Sequence, residues 1–209
     1  MSTPAQTGST LTFWFEFAST YSYLSAMRIE GMARDAGVAL RWRPFLLGPI
    51  FAAQGWDSSP FNIYPAKGRN MWRDMERRAA ARGLPPVIRP AVFPQNGLRA
   101  ARVATLGADR GWGPRFVRAV YTAEFAEGRD IGADDGAVAA EALEGLGLSP
   151  DAILAEAEAP GNKARLRAAT EEAQVFGIFG APSFTTEDGE LFWGDDRLED
   201  ALGWAARLG

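Results

Sequence analysis

An aromatic-rich strand runs into the start of a helix in Phe13-Trp14-Phe15-Glu16-Phe17-Ala18-Ser19-Thr20-Tyr21-Ser22-Tyr23, and this stretch decides the fold. Apolar side chains alternate from Leu11 onward with the two-residue period of a strand, and Trp14 makes the strand apolar on both faces. Ser19 lies where the strand ends and the helix begins. Its hydroxyl either caps the free N–H groups of the first helical turn, or lies beside an anion held by those N–H groups. The stretch by itself leaves both interpretations open.

The composition indicates a globular protein without a nucleic-acid or membrane surface. The chain has 209 residues, 47% of them hydrophobic, and a formal net charge of −4. This is enough apolar material for a core in one or two domains. Basic residues are scattered, and no apolar run approaches the roughly 20 residues of a membrane span. Residues 1–10 are small and polar, which argues against a secretory signal, so we expect a cytoplasmic protein.

The chain contains neither cysteine nor histidine. This excludes disulfides, thiolate nucleophiles, the Ser-His-Asp triad and metal sites made from His or Cys, and we expect no bound metal. Acid–base or nucleophilic chemistry must therefore use carboxylates, lysine, tyrosine, serine, water or a group carried by a cofactor.

Strands are predicted at both ends of the chain. A strand at 11–17, a helix of about 16 residues after Ser19 and a strand at 38–45 form a βαβ unit whose strands should be parallel. Near the carboxyl end, Asp188-Gly189 predicts a hairpin between strands at 183–186 and 190–193, and a helix follows at 197–208.

The middle of the chain is predicted to be helical after a turn-rich stretch at 48–65. Helices are expected at 66–82, 97–110, 114–126, 134–146, 150–159 and 163–176. The order βαβ, helices, ββα is similar to the α/β thioredoxin fold with a large all-helical insertion, as in DsbA-like oxidoreductases. We therefore predict a thioredoxin-like domain from 11–47 and 177–209, and a helical insertion domain at 48–176.

Four motifs strengthen this similarity. In chain order they are Phe15-Glu16-Phe17-Ala18-Ser19-Thr20-Tyr21-Ser22-Tyr23-Leu24, Pro65-Ala66-Lys67-Gly68, Phe176-Gly177-Ile178-Phe179-Gly180-Ala181-Pro182-Ser183-Phe184 and Phe192-Trp193-Gly194-Asp195-Asp196-Arg197-Leu198. As a set they resemble the 2-hydroxychromene-2-carboxylate isomerase family. Its members are glutathione-dependent enzymes of aromatic-ring catabolism, related to kappa-class glutathione transferases. The resemblance extends over residues 11–208.

The resemblance implies that glutathione is the cofactor and that Ser19 is the catalytic residue. Redox relatives carry a Cys-x-x-Cys pair where this chain has Ser19-Thr20-Tyr21-Ser22, so the reactive sulfur must come from glutathione. Ser19 matches the family's catalytic serine, which donates a hydrogen bond to that sulfur and favours its thiolate. Lowering a thiol pKa by two units requires roughly 2.7 kcal/mol, and a hydrogen bond to a charged group contributes about 1.5 to 3 kcal/mol.

Other positions match the rest of a glutathione site. Ala181-Pro182 matches the family's cis-proline, whose preceding residue offers its backbone N–H and C=O to the glutathione peptide. The segment that receives the γ-glutamyl end, whose ammonium needs a carboxylate, is matched by Trp193, Gly194, Asp195 and Asp196. Taken alone, two acidic residues before a helix are helix caps. Lys67 matches a position that meets a glutathione carboxylate in kappa-class relatives, although a solvated lysine at a helix start fits equally.

The second substrate implied is a small aromatic or conjugated carboxylate. Its contacts align approximately with Phe51, Phe61, Asn62 and Phe93, although each aromatic residue alone would also suit a core. The chain departs from the family where Thr20 replaces the usual proline and Phe51 replaces a substrate-holding lysine. The asparagine of kappa-class relatives is not matched, and Ser58 is the nearest residue in spacing.

Three functions follow from these patterns. The first is an isomerase, in which a glutathione thiolate adds to a conjugated carbon, the former double bond rotates, and elimination regenerates glutathione. The second is a kappa-like glutathione transferase, whose adduct leaves as product. The third is a non-catalytic thioredoxin-like module that binds glutathione or a peptide. The family resemblance also implies a homodimer.

Overall fold

The computed structural model describes residues 9–56 and 58–209. The stretch that argued against a secretory signal lies outside these ranges, apart from Ser9 and Thr10. None of the helices in these ranges combines the length and the hydropathy that a membrane span requires.

Four strands form one mixed sheet in the order β2-β1-β3-β4. They are β1 (Thr10–Phe15), β2 (Ala39–Pro44), β3 (Ser183–Thr185) and β4 (Leu191–Trp193). β1 pairs in parallel with β2 and in antiparallel fashion with β3, which forms a hairpin with β4. The predicted parallel pair and hairpin are confirmed, and β1 joins the two ends of the chain.

Eleven helices surround the sheet in the described residues. They are α1 (Thr20–Ala26), α2 (Ile29–Ala36), α3 (Leu47–Ala53), α4 (Pro60–Ile63), α5 (Pro65–Ala81), α6 (Leu98–Asp109), α7 (Gly113–Phe125), α8 (Ala137–Glu144), α9 (Pro150–Ala157), α10 (Pro160–Val175) and α11 (Leu198–Ala206). The thioredoxin-like α/β fold with a helical insertion is therefore confirmed.

The structure corrects three of the sequence predictions. The single helix predicted after Ser19 is two helices, because the chain leaves the helical path at Arg28, whose guanidinium donates to the backbone carbonyl of Asp195. The turn-rich stretch contains α3 and α4. Pro49 and Pro60 lie in the first turns of those helices, where no backbone N–H is needed. For the same reason α10 begins at Pro160 rather than near residue 163.

β1 is buried on both faces, as its sequence predicts. Phe13 and Phe15 face the main core, and the Phe13 ring lies 5.0 Å from that of Trp42 on β2. Trp14 points to the opposite face, where it packs against Phe45 in a smaller apolar cluster. Burial on both faces fixes β1 in register with its two neighbours.

The main core continues from the sheet into the helical insertion. The Phe17 ring lies 5.2 Å from that of Tyr121 on α7, and the Tyr121 hydroxyl donates to the backbone carbonyl of Glu16 at 2.8 Å. α7 therefore packs directly on the turn that leads to Ser19. The division of the chain at residues 47 and 177 into two domains stays a prediction.

This core contains one carboxyl group without a hydrogen-bond partner. Glu124 on α7 is buried, and neither of its carboxyl oxygens has a partner among the described residues. Burial raises the pKa of Glu124 well above the ordinary 4.5, and the neighbouring charges of Glu16 and Asp130 act in the same direction. At pH values above about 4.5 and below the raised pKa, native Glu124 therefore keeps a proton that it loses in the unfolded chain.

We expect the free energy of unfolding to fall as the pH rises above about 4.5, because the unfolded chain then releases the proton that native Glu124 holds. Glu124→Gln removes this ionisation and should make stability less dependent on pH. Urea unfolding between pH 5 and pH 9 measures the effect, with the exposed Glu144→Gln as the control. Equal pH dependence in all three proteins would contradict the prediction.

Candidate active site

A cavity of about 910 Å³ opens where the end of β1 meets the helical insertion. Its size is typical of a site for small molecules. Most of its wall is apolar, and the charged residues that line it are Glu16, Lys67, Arg78, Asp195 and Asp196. An apolar wall with a few charged groups suits a ligand that is part aromatic and part ionic.

Ser19 lies at the junction of β1 and α1 and lines this cavity. Its Oγ accepts the Ser22 backbone N–H at 3.2 Å, so the serine is a helix cap. The same Oγ donates to the backbone carbonyl of Ala181 at 2.8 Å. The Ala181-Pro182 bond is cis, which confirms the expectation from the family resemblance. Capping uses a lone pair of Ser19 and leaves its proton for a second partner.

The predicted glutathione-binding residues come together at this cavity. Its lining includes Ser19, Lys67, Ala181, Trp193, Gly194, Asp195 and Asp196. Pro182 does not line it: the ring is buried, and the Pro182 carbonyl accepts the Gly194 N–H at 3.0 Å. Gly194 has a φ of +108°, which favours glycine at this close approach of two chain segments.

Three of the four predicted substrate residues, Phe51, Phe61 and Phe93, also line the cavity. Asn62 does not. Its exposed amide donates to the backbone carbonyl of Phe93 at 2.8 Å, so it links α4 to the loop that carries Phe93. The structure therefore places Asn62 outside the cavity lining, and its contact with a substrate stays a prediction.

Asp195 and Asp196 lie in different surroundings. Asp195 is 1% exposed, and its carboxylate accepts hydrogen bonds from Ser25 at 2.9 Å, Arg28 at 3.2 Å and Arg82 at 2.7 Å. Arg78 lies 3.5 Å from the same carboxylate. The Asp196 side chain is 53% exposed and lies 3.7 Å from Arg197. Three arginines thus neutralise Asp195, which the sequence interpretation as a helix cap did not foresee.

Arg78 is a cavity residue that the sequence analysis missed. It follows Lys67 by eleven residues, or three helical turns, so both lie on one face of α5, and this spacing could have revealed it. Its Nε donates to Asp74 at 2.7 Å, and the Tyr21 hydroxyl donates to the same carboxylate at 3.0 Å. Burial acts to raise the pKa of Asp74, but these hydrogen bonds hold it below its ordinary value.

Glu16 is the second missed residue. It lines the cavity three residues before Ser19, and a Cβ built on Gly97 would lie 3.3 Å from its Oε1. Burial raises the pKa of Glu16 to about 8, although a hydrogen bond from the Ala18 backbone N–H acts in the opposite direction. The signal in the sequence was an acidic residue inside an otherwise apolar strand.

Comparisons with known proteins agree with this fold and this cavity. The DSBA-like thioredoxin domain matches residues 10–203. A 2-hydroxychromene-2-carboxylate isomerase from Sphingobium xenophagum is 31% identical over 191 residues, which are 91% of this chain and 94% of that protein. The chain belongs to the 2-hydroxychromene-2-carboxylate isomerase family, which has the DsbA-like thioredoxin fold.

Two further members of the isomerase family support the assignment. A 2-hydroxychromene-2-carboxylate isomerase from Pseudomonas putida is 28% identical over 201 residues, covering 93% of this chain and 95% of that protein. The solved structure of a 2-hydroxychromene-2-carboxylate isomerase superposes with a TM-score of 0.82 at 25% identity and covers 95% of both chains. The resemblance drawn from the four motifs is therefore confirmed.

We expect Asp195→Asn to lower the free energy of unfolding by about 2 to 4 kcal/mol, because it leaves three arginines without their shared counter-charge. The loss stays below that of a fully buried pair since the arginines reach solvent. Asp196→Asn, next in the chain and half exposed, should change stability by less than about 0.5 kcal/mol. Urea unfolding of both variants tests this, and equal losses would contradict it.

Proposed function

We propose that this chain is a glutathione-dependent isomerase acting on 2-hydroxychromene-2-carboxylate or a closely related conjugated carboxylate. The observation that supports this most strongly is the Ser19 hydroxyl, which lines the cavity and hydrogen-bonds to the Ala181 carbonyl beside a cis-proline. The names of the similar proteins supply the reaction class, since all three curated relatives are isomerases of this type.

The donors and acceptors in the cavity fit a tripeptide with two carboxylates and one ammonium. Ala181 presents a backbone carbonyl, Asp196 a half-exposed carboxylate, and Lys67 a cation 5.4 Å from the Tyr64 ring. We assign the γ-glutamyl ammonium to Asp196 rather than Asp195, because three arginines already surround Asp195. Lys67 would hold a glutathione carboxylate.

The proton of Ser19 has two competing acceptors. In the free chain Ser19 donates it to the Ala181 carbonyl at 2.8 Å. An incoming peptide N–H would compete for that carbonyl, and the Ser19 hydroxyl could then turn towards a sulfur in the cavity. Because α1 has only seven residues, we assign the stabilisation of a thiolate mainly to this hydroxyl and to the free N–H groups of the first turn.

When bound, glutathione supplies a thiolate that adds reversibly to a conjugated carbon, so that the former double bond can rotate. The chain's own residues hold the reacting groups together in the cavity. Phe51, Phe61 and Phe93 offer an apolar wall for an aromatic ring. Phe51 stands in place of the family's lysine and carries no charge. We assign the substrate carboxylate to Arg78, which lines the cavity and would bind it through N–H groups other than the Nε–H that it donates to Asp74. Orientation of two partners lowers the barrier further.

We expect Ser19→Ala to lower kcat/KM for glutathione-dependent isomerisation about 10- to 150-fold, the equivalent of a hydrogen bond of about 1.5 to 3 kcal/mol to a charged group. The thiol pKa of bound glutathione should rise by about one to two units, which ultraviolet absorbance of the thiolate measures. Ser22→Ala is the matched control, since Ser22 is buried and does not line the cavity.

The same assay separates the alternatives. Stoichiometric consumption of glutathione would indicate a transferase, whereas an isomerase regenerates it. Ser19→Ala with unchanged turnover and unchanged thiol pKa would rule out the assigned role of the serine. S-methylglutathione cannot form a thiolate and should bind without supporting turnover.

We expect Phe51→Ala to raise KM for the aromatic substrate by about fivefold to thirtyfold, the equivalent of losing roughly 1 to 2 kcal/mol of apolar contact. Its affinity for glutathione, measured by calorimetry, should stay within twofold of the original. Phe176→Ala is a suitable control because Phe176 is 41% exposed and does not line the cavity. A loss of glutathione affinity in Phe51→Ala would contradict the assignment of Phe51 to the aromatic substrate rather than to glutathione.

A further inference from the structure

Glu16 combines access to the cavity with an environment that disfavours its charged form. It is partly buried at the end of β1, and its carboxyl group accepts the Ala18 backbone N–H. Gly97, another lining residue, leaves Oε1 room, since a Cβ there would approach it to 3.3 Å. Glu16 and Ser19 therefore line one cavity from opposite ends of a single turn.

The titratable groups of α7 that interact with Glu16 carry no positive charge. They are Tyr121 and Glu124, and the charge of Asp130, beyond α7, acts on Glu124. No ion pair formed within the described ranges includes Glu16. Desolvation without a cationic partner raises the pKa of Glu16 to about 8, so its carboxyl group is mostly protonated at pH 7.

Tyr21 and the two aspartates of the cavity lie in different environments from Glu16. Burial raises the pKa of Tyr21 above the ordinary 10, and the Asp74 carboxylate, to which the Tyr21 hydroxyl donates, acts in the same direction. Asp195 is surrounded by arginines, and Asp196 is half exposed. Glu16 differs from both aspartates of the cavity lining because its carboxyl group is shielded from water and has no cationic partner among the described residues, which suits it to give and recover a proton near neutral pH.

We propose that Glu16 is the proton donor and acceptor of the site, acting on the carbonyl oxygen of the conjugated substrate. This inference rests on the proposed isomerase function. As a thiolate adds to the conjugated carbon, the electron pair of the double bond moves onto that oxygen. The O–H bond of Glu16 breaks, a new O–H bond forms on the substrate, and Glu16 is left as a carboxylate. On elimination the carboxylate takes the proton back, the carbonyl re-forms and the thiolate leaves.

The test compares the original chain with Glu16→Gln, Glu16→Asp and Glu124→Gln. Glu16→Gln keeps the shape but cannot transfer a proton, so kcat should fall about 10²- to 10⁴-fold with glutathione affinity retained. The original chain should also lose activity as the pH rises through about 8, because the protonated form acts. Glu16→Asp should recover part of kcat. Glu124→Gln replaces a buried carboxyl group outside the cavity. It should keep the original kcat and the loss of activity above about pH 8.

Ligand binding without glutathione provides an independent measurement. The probe is benzylidenepyruvate, a conjugated keto acid, and its affinity is followed by tryptophan fluorescence. If the carboxyl group of Glu16 must be protonated to hydrogen-bond the keto oxygen, affinity should fall about tenfold between pH 7 and pH 9 in the original chain. It should stay constant in Glu16→Gln. Circular dichroism verifies that every variant is folded.

The outcomes separate this inference from the function on which it rests. If the original chain isomerises its substrate with glutathione but folded Glu16→Gln keeps kcat within threefold, the role of Glu16 is overturned and the isomerase stands. The same conclusion follows if probe affinity falls with pH equally in both proteins. If the original chain shows no glutathione-dependent turnover, the proposed function and the proton transfer assigned to Glu16 both fail.

Discussion

The hydrogen bond from Ser19 to the Ala181 carbonyl joins positions 162 residues apart, and the rest of the site depends on it. It forms because β1 pairs with β3, which brings the start of α1 against the chain just before the hairpin. A strand buried on both faces is the constraint behind this arrangement, since a shift of register would expose the aromatic side chains of β1. Core packing and site geometry are therefore consequences of the same pairing.

Much of the fold follows from local patterns in the sequence. The alternation through Phe13 and Phe15 identified the central strand, and Asp188-Gly189 identified the hairpin, because each signal is contained in a few consecutive residues. Helices α3 and α4 were missed because Pro49 and Pro60 indicate turns as readily as first helical turns. The break between α1 and α2 could not be predicted, because it accompanies a contact from Arg28 to Asp195, far along the chain.

The site shows the same division between local and long-range information. The family motifs predicted that Ser19, Lys67 and Ala181 belong to one site, and all three line the same cavity. No local pattern in the sequence distinguishes Asp195 from Asp196. Only the fold delivers Arg28, Arg78 and Arg82 to the first of them. The role of Glu16 could not be predicted from its neighbours, which identify only a strand. Its pKa is raised because α7 covers the end of that strand in the folded chain. Glu16 and Asp195, which line the same cavity as Ser19, therefore differ in chemistry because their surroundings differ.

The walls of the cavity come from separate parts of the chain. Ser19 and Ala181 belong to the sheet and the turns at its edge, whereas Phe51, Phe61 and Phe93 belong to segments inserted between the second and third strands. Asn62 links two of these inserted segments through the Phe93 carbonyl. Substitutions in the inserted segments can therefore reshape the aromatic wall without replacing any residue at the sheet edge.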